Sequence, residues 1–246
     1  MRTANPVLSD RAMSDVTVAP GSGVLTSGVM TLEGTVNKTL ISVAITSLAA
    51  TWTWLNPGMG SYAMLFAIAG LVLGLIVPFK KEWAPALTPA YAVVEGCFLG
   101  SISLWAETIY PGVVFQAVSL TFGTLFCLLV AYKSRWIAPS ENFKLGLVAA
   151  TGAIFVVYLI TFILGLCGVN VSFMTNSGPL SIGISLVVVV IAALNLVLDF
   201  DFIEHGAASG RMPKYMEWYG AFGLLVTLIW LYLEILRLLM KLNSRD

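Results

Sequence analysis

Two carboxylates, Glu95 and Asp199, fall inside stretches otherwise apolar enough for a lipid bilayer. An ionised acid at the centre of a membrane helix costs roughly 2.5–3.5 kcal/mol on insertion scales. An acid kept there is a functional group by default, and the chemistry it supplies is capture of a cation or a proton. Asn195, Asp199 and Ile203 follow one another at i,i+4 spacing and share a helical stripe. Asp201 is turned about 200° from Asp199 and joins Glu204 and His205 on a second stripe. The first stripe is assigned to the bundle interior and the second to a solvated helix end at the cytoplasmic rim. Thr227 offers a neutral oxygen in the last apolar stretch. Glu234 lies further along it as an acid of the outer mouth, with Arg237 its expected partner at i,i+3.

The elements that must position these groups are membrane helices. The chain has 58% hydrophobic and 11% charged residues and a mean hydropathy of +0.90, against about 25% charged in soluble domains. Thirteen basic residues balance thirteen acidic ones, so no basic surplus points to nucleic acid. Seven stretches suit a hydrocarbon core ~30 Å thick. They are 39 to 55, 59 to 79, 84 to 106, 108 to 132, 145 to 167, 180 to 203 and 218 to 240. The expected architecture is an all-α, polytopic seven-helix bundle over residues 39–241. A polar tail of residues 1–38 precedes it and a short tail of residues 242–246 follows. Asn56-Pro57-Gly58, Tyr110-Pro111-Gly112 and Ser177-Gly178-Pro179 mark turns. Cys97, Cys127 and Cys167 show no metal-ligand spacing and are expected as buried small hydrophobes. Gly70xxxGly74 and Gly96xxxGly100 are expected to serve internal helix packing.

Lys80 and Lys81, then Lys133, Arg135 and Lys144, then Arg211 and Lys214 occupy alternate connections. By the positive-inside rule these face the cytoplasm, as does the N-terminus. Counting 1.5 Å per residue from that boundary puts Glu95 about 13 Å deep, Asp199 about 9 Å, Thr227 about 13 Å and Glu234 about 24 Å. Glu95 and Asp199 therefore share a level.

The run Asn195-Leu-Val-Leu-Asp-Phe-Asp-Phe-Ile-Glu-His205, the Glu95-Gly96 pair and the segment Leu231-Tyr-Leu-Glu-Ile-Leu-Arg237 resemble the Bax inhibitor family, also called the transmembrane Bax inhibitor motif family. The similarity covers roughly residues 36 to 241 and is strongest to bacterial members, which implies an inner-membrane location. It implies six helices around a central one and a pH-sensitive calcium leak governed by buried carboxylates. Asp199 matches the family's helix-six aspartate. Thr227 stands where the family commonly has a second aspartate in helix seven. Glu95, at the depth of Asp199, is the expected replacement, with Asn195 and Thr227 adding neutral oxygens. Two carboxylates in one low-dielectric site do not both ionise cheaply, so one is expected to hold a proton and bridge the pair. Once deprotonated, the pair would bind calcium in transit, since that ion accepts irregular oxygen sites. No resident cofactor is expected.

Other classes lack their residues. No lysine lies between Lys214 and Lys241 to hold a retinal Schiff base, and the single histidine, His205, sits at a helix end and not in a protease site. Enzymatic activity is not expected. The main alternative is a non-conducting regulator that binds membrane proteases or cell-death and stress proteins. A secondary transporter ranks third, because paired broken helices are not evident.

Overall fold

The computed structural model describes residues 28–168 and 176–244. Most of the expected N-terminal tail, and residues 245 and 246 of the C-terminal one, lie outside these. Seven α-helices run through the described residues: α1 Leu32–Leu55, α2 Ala63–Phe79, α3 Ala84–Ile109, α4 Val113–Lys133, α5 Glu141–Leu166, α6 Pro179–Ala208 and α7 Met216–Asn243. Short 3₁₀ turns at Pro57–Tyr62 and Lys81–Trp83 join α1 to α2 and α2 to α3. The expected turns are present. Pro57 opens the first, Gly112 takes the left-handed conformation (φ 87°) in the second, and Pro179 is the first residue of α6.

Six helical segments are long and apolar enough to cross a membrane; α1 is long enough but less apolar. Its composition has a physical reason. Thr35, Ser42, Thr46 and Thr53 are its buried residues, and each hydroxyl bonds a carbonyl four residues back. Those bonds satisfy the hydroxyls inside the helix itself. The opposite face exposes Leu40, Ile41, Leu48, Trp52 and Leu55. The helix is thus inside out, with small hydroxylated residues inward and large apolar ones outward. It also begins earlier than expected, taking in Leu32 to Lys38, because the Thr31 side chain caps it by accepting from Gly34 N at 3.0 Å.

Small inward residues allow close approach. A β-carbon on Gly96 would lie 2.5 Å from the Thr46 carbonyl oxygen, and one on Gly100 would lie 2.4 Å from that of Ala50. These glycines let α3 lie against the α1 backbone, the packing role expected of them. The cysteines divide: Cys97 is buried, but Cys127 and Cys167 are exposed, because α4 and the end of α5 turn those positions away from the bundle.

The centre of the bundle is α7, two-thirds buried along its apolar window and packed against α1, α3, α4 and α6. By contrast α5 is peripheral and packs on α6. The N-terminal approach to α1 is fastened to the start of α7. Glu217, fully buried, accepts from Thr31 N (2.9 Å), Thr31 Oγ1 (2.8 Å) and Lys214 Nζ (2.7 Å), and it pairs with Lys38. Met30 N also donates to Met212 O at 2.8 Å.

Candidate functional site

Contacts along α7 fix the level of each acid. Helices α3 and α7 run parallel: Thr88 Oγ1 donates to Trp218 O (3.2 Å), the Tyr91 and Phe222 rings lie 4.9 Å apart, and the Ser103 and Tyr232 hydroxyls bond at 2.6 Å. Glu95 is thereby level with Leu225. Helices α6 and α7 are antiparallel, and Ile203 Cγ1 lies 3.3 Å from where a Gly220 β-carbon would sit. One turn back along α6, Asp199 is level with Leu224. The depth shared by Glu95 and Asp199 is therefore present.

Their shared site is not. Phe222 faces α3, whereas a Gly220 β-carbon would sit between Thr35 of α1 (3.1 Å) and Ile203 of α6 (3.3 Å), and two residues apart on a helix means about 200° of rotation. The central helix stands between the two acids. Glu95 turns toward α2, where its carboxylate fills the space left by Gly70 and bonds the Tyr91 hydroxyl. Counting residues gave the level but not the side of α7. This corrects the expected side-by-side placement of Glu95 and Asp199. Among the described residues no three His, Cys, Asp or Glu side chains cluster as a metal site.

Asp199 instead belongs to a polar seam on the other face of α7. Gly220, Thr227 and Glu234 recur at seven-residue spacing, a rotation of only about 20° per step, so Thr227 and Glu234 face the α5/α6 side. Helix α5 presents its own seven-residue stripe, Lys144, Thr151 and Tyr158, and each member makes a bond to another helix. Lys144 Nζ pairs with Asp201 Oδ2 at 2.9 Å, both side chains under 10% exposed. Thr151 Oγ1 accepts from Asn195 Nδ2 at 3.0 Å. The Tyr158 hydroxyl donates to Glu234 Oε1 at 2.9 Å and accepts from Arg237 at 2.8 Å. Successive rungs are about 10 Å apart.

Asp199, 0% exposed, lies between the first two rungs on α6. One turn further, Asn195 is also buried, and its Oδ1 has no hydrogen-bond partner among the described residues. Thr227 is buried at the same level on α7, its hydroxyl 3.3 Å from Gly223 O. Glu234 is 1% exposed and paired with Arg237 at 3.1 Å, the expected i,i+3 partner.

Asp201 departs from its expected place. It is not on a solvated rim, because α4 and α5 cover that face of α6. Besides Lys144, the Tyr132 hydroxyl reaches it at 3.5 Å and His205 Nδ1 at 3.4 Å. Tyr132 donates a shorter bond, 2.5 Å, to Glu204, which Arg135 also meets at 3.4 Å. Glu204 and His205 remain half-exposed, as a helix end should be. Lys144, read from sequence as a loop cation, is the buried counter-ion of Asp201. The seven-residue recurrence of Lys144, Thr151 and Tyr158 in an otherwise lipid-facing helix was the signal that marked all three.

A larger cavity of about 560 Å³ lies among α1, α3, α4 and α7. Its wall is mainly apolar, including Val43, Leu99, Val118 and Leu228. The Ser103 and Tyr232 hydroxyls in it satisfy each other, and Glu107 caps α4 by accepting from Gly112 N (2.6 Å) and Val114 N (3.1 Å). It offers a cation far less than the seam does.

A family model described as Bax inhibitor 1 like matches residues 5–244, nearly the whole chain. No curated protein and no solved structure gives a significant match.

Proposed function

The chain belongs to the Bax inhibitor 1 like family, and from that premise we propose that it is a pH-sensitive cation leak, passing calcium along the α5/α6/α7 seam, with Asp199 as the acid the ion must meet. The observation that carries this reading is the pair of buried acceptors one turn apart on α6, the Asp199 carboxylate and Asn195 Oδ1. They sit in a column of polar groups running from Lys144 to Lys241. Lys144 to Tyr158 on α5 and Glu234 to Lys241 on α7 together span about 31 Å at 1.5 Å per residue, the thickness of a hydrocarbon core. Arranged this way, oxygens replace part of an ion's hydration, while the Lys144–Asp201 pair closes the end nearest the α4–α5 connection.

The same reading takes α1 as a seventh span, since its lipid-facing side is apolar, and places the N-terminus in the cytoplasm of a bacterial inner membrane. Lys38, Lys133, Arg135, Lys144, Arg211 and Lys214 then lie toward the inner side. No catalytic step is part of it. A protonated Asp199 has no charge to attract calcium, so acid should lower the flux and alkali raise it. The test is calcium flux into liposomes containing only this protein, from pH 5 to 8. Flux above that of empty liposomes and rising with pH is expected. Flux equal to that of empty liposomes at every pH would refute conduction.

A further inference from the structure

Where α5, α6 and α7 diverge at the Lys241 end, the structure holds a cavity of about 340 Å³ lined by Tyr158, Thr161, Phe162, Ser185, Arg237 and Lys241 among others. Among the described residues its lining carries two cations and no carboxylate. Glu234 forms its ion pair with Arg237, while among the described residues the hydrogen bonds of Lys241 Nζ go to neutral oxygens, Ser181 Oγ and Ser185 Oγ, each at 2.8 Å. The 30-residue helix α6 begins at Pro179, so the positive end of its dipole adds to the same field. Lys241 and Arg237 stand two and six residues from the end of α7, about 3 and 9 Å, within reach of the headgroup layer for long basic side chains. Phe162 and Leu180, both more than 60% exposed, provide apolar surface beside the cavity.

We propose that this cavity binds a phosphate-bearing anion, with the headgroup of an anionic phospholipid the occupant its position favours. Guanidinium, ammonium and hydroxyl donors converge as a phosphate requires, and the apolar rim suits the first carbons of an acyl chain. The cavity lies at the Lys241 end of the polar column, but its test reads binding and not flux, so this proposal and the conduction reading fail separately. Full-length protein in neutral detergent would be titrated with phosphatidylglycerol, phosphatidylcholine or inorganic phosphate while its thermal unfolding is followed. Phosphatidylglycerol should raise the unfolding midpoint more than phosphatidylcholine. Lys241→Gln should weaken that effect about fivefold, the contribution of one basic residue to an anionic lipid. Lys241→Arg should retain it, and so should Lys133→Gln, which removes an equal charge from an exposed position at the other end of the molecule. If inorganic phosphate reproduces the effect with the same dependence on Lys241, the occupant is the free anion. If it has no effect, the occupant is the lipid. Either result keeps a phosphate site. Equal responses of wild type and Lys241→Gln, or an equal loss in Lys133→Gln, would overturn it.

Discussion

On the side of α7 that faces α1 and α3, the middle of the bundle is packed by rings, small residues and bare backbone, with Tyr91 on Phe222 and Gly96 and Gly100 of α3 against α1, while hydrogen bonds such as Thr88 to Trp218 O and Ser103 to Tyr232 and the Glu217–Lys38 ion pair lie toward its ends. On the side that faces α5 and α6, contact is made by charge and hydrogen bonds: Lys144 to Asp201, Asn195 to Thr151, Tyr158 to Glu234 and Arg237. One helix thus divides an interface apolar at its middle, which resists separation because its fit is steric, from a polar one whose strength depends on every partner being in place and in the right protonation state. The second joins several helices through groups whose charge depends on protonation. The proposed ion pathway lies on the second side, and substitutions on the two sides should fail in different ways.

The largest effect is expected at the first rung of the seam. Lys144→Met leaves Asp201 buried without its ammonium, and breaking a buried pair from one side costs about 3–5 kcal/mol. Thermal unfolding in detergent should show that loss, and Asp201→Asn in the same chain should recover much of it. A double variant no more stable than Lys144→Met would mean that the pair is not coupled. On the opposite side, Gly96→Val forces a side chain into the Thr46 carbonyl, an overpacking worth about 1–3 kcal/mol or more where backbone must move. Stability should fall while the protein that still folds keeps its pH response. A lost pH response would show that the two sides are not separable. The smallest effect is expected at the third rung. Tyr158→Phe removes one hydroxyl from Glu234 and Arg237, which still hold each other, at a cost of about 1 kcal/mol. A loss above 3 kcal/mol there would make Tyr158, and not the ion pair, the keystone of that end.

What could be read from the sequence follows from what periodicity encodes. Hydropathy gave seven helices and turn residues gave their ends, because Pro57, Gly112 and Pro179 act through local backbone geometry. Rise per residue gave the common level of Glu95 and Asp199. Periodicity fixes angles within one helix but not which neighbour a face meets, so the intervening α7 was invisible and two acids at one depth read as a pair. Partnership across helices was equally hidden. Asp201 looked like a solvated helix end and Lys144 like a loop cation until α5 was laid on α6. The seven-residue steps within α5 and within α7 were legible, and matching them would have drawn the seam before the structure did. The start of α1 was missed for a local reason: a run rich in Gly, Thr and charged residues looks like a tail unless Thr31 is recognised as a cap.

The central claim is that ion handling belongs to the Asp199 side of α7 and not to the Glu95 side. Calcium flux should therefore be measured from pH 5 to 8 in liposomes reconstituted in parallel with wild type, Asp199→Asn and Glu95→Gln. The account predicts that Asp199→Asn flattens the pH profile, since an amide cannot take up the proton, and that Glu95→Gln keeps both the slope and most of the flux. A flat profile in Glu95→Gln with a normal one in Asp199→Asn would contradict it and move the pathway to the other face of the central helix.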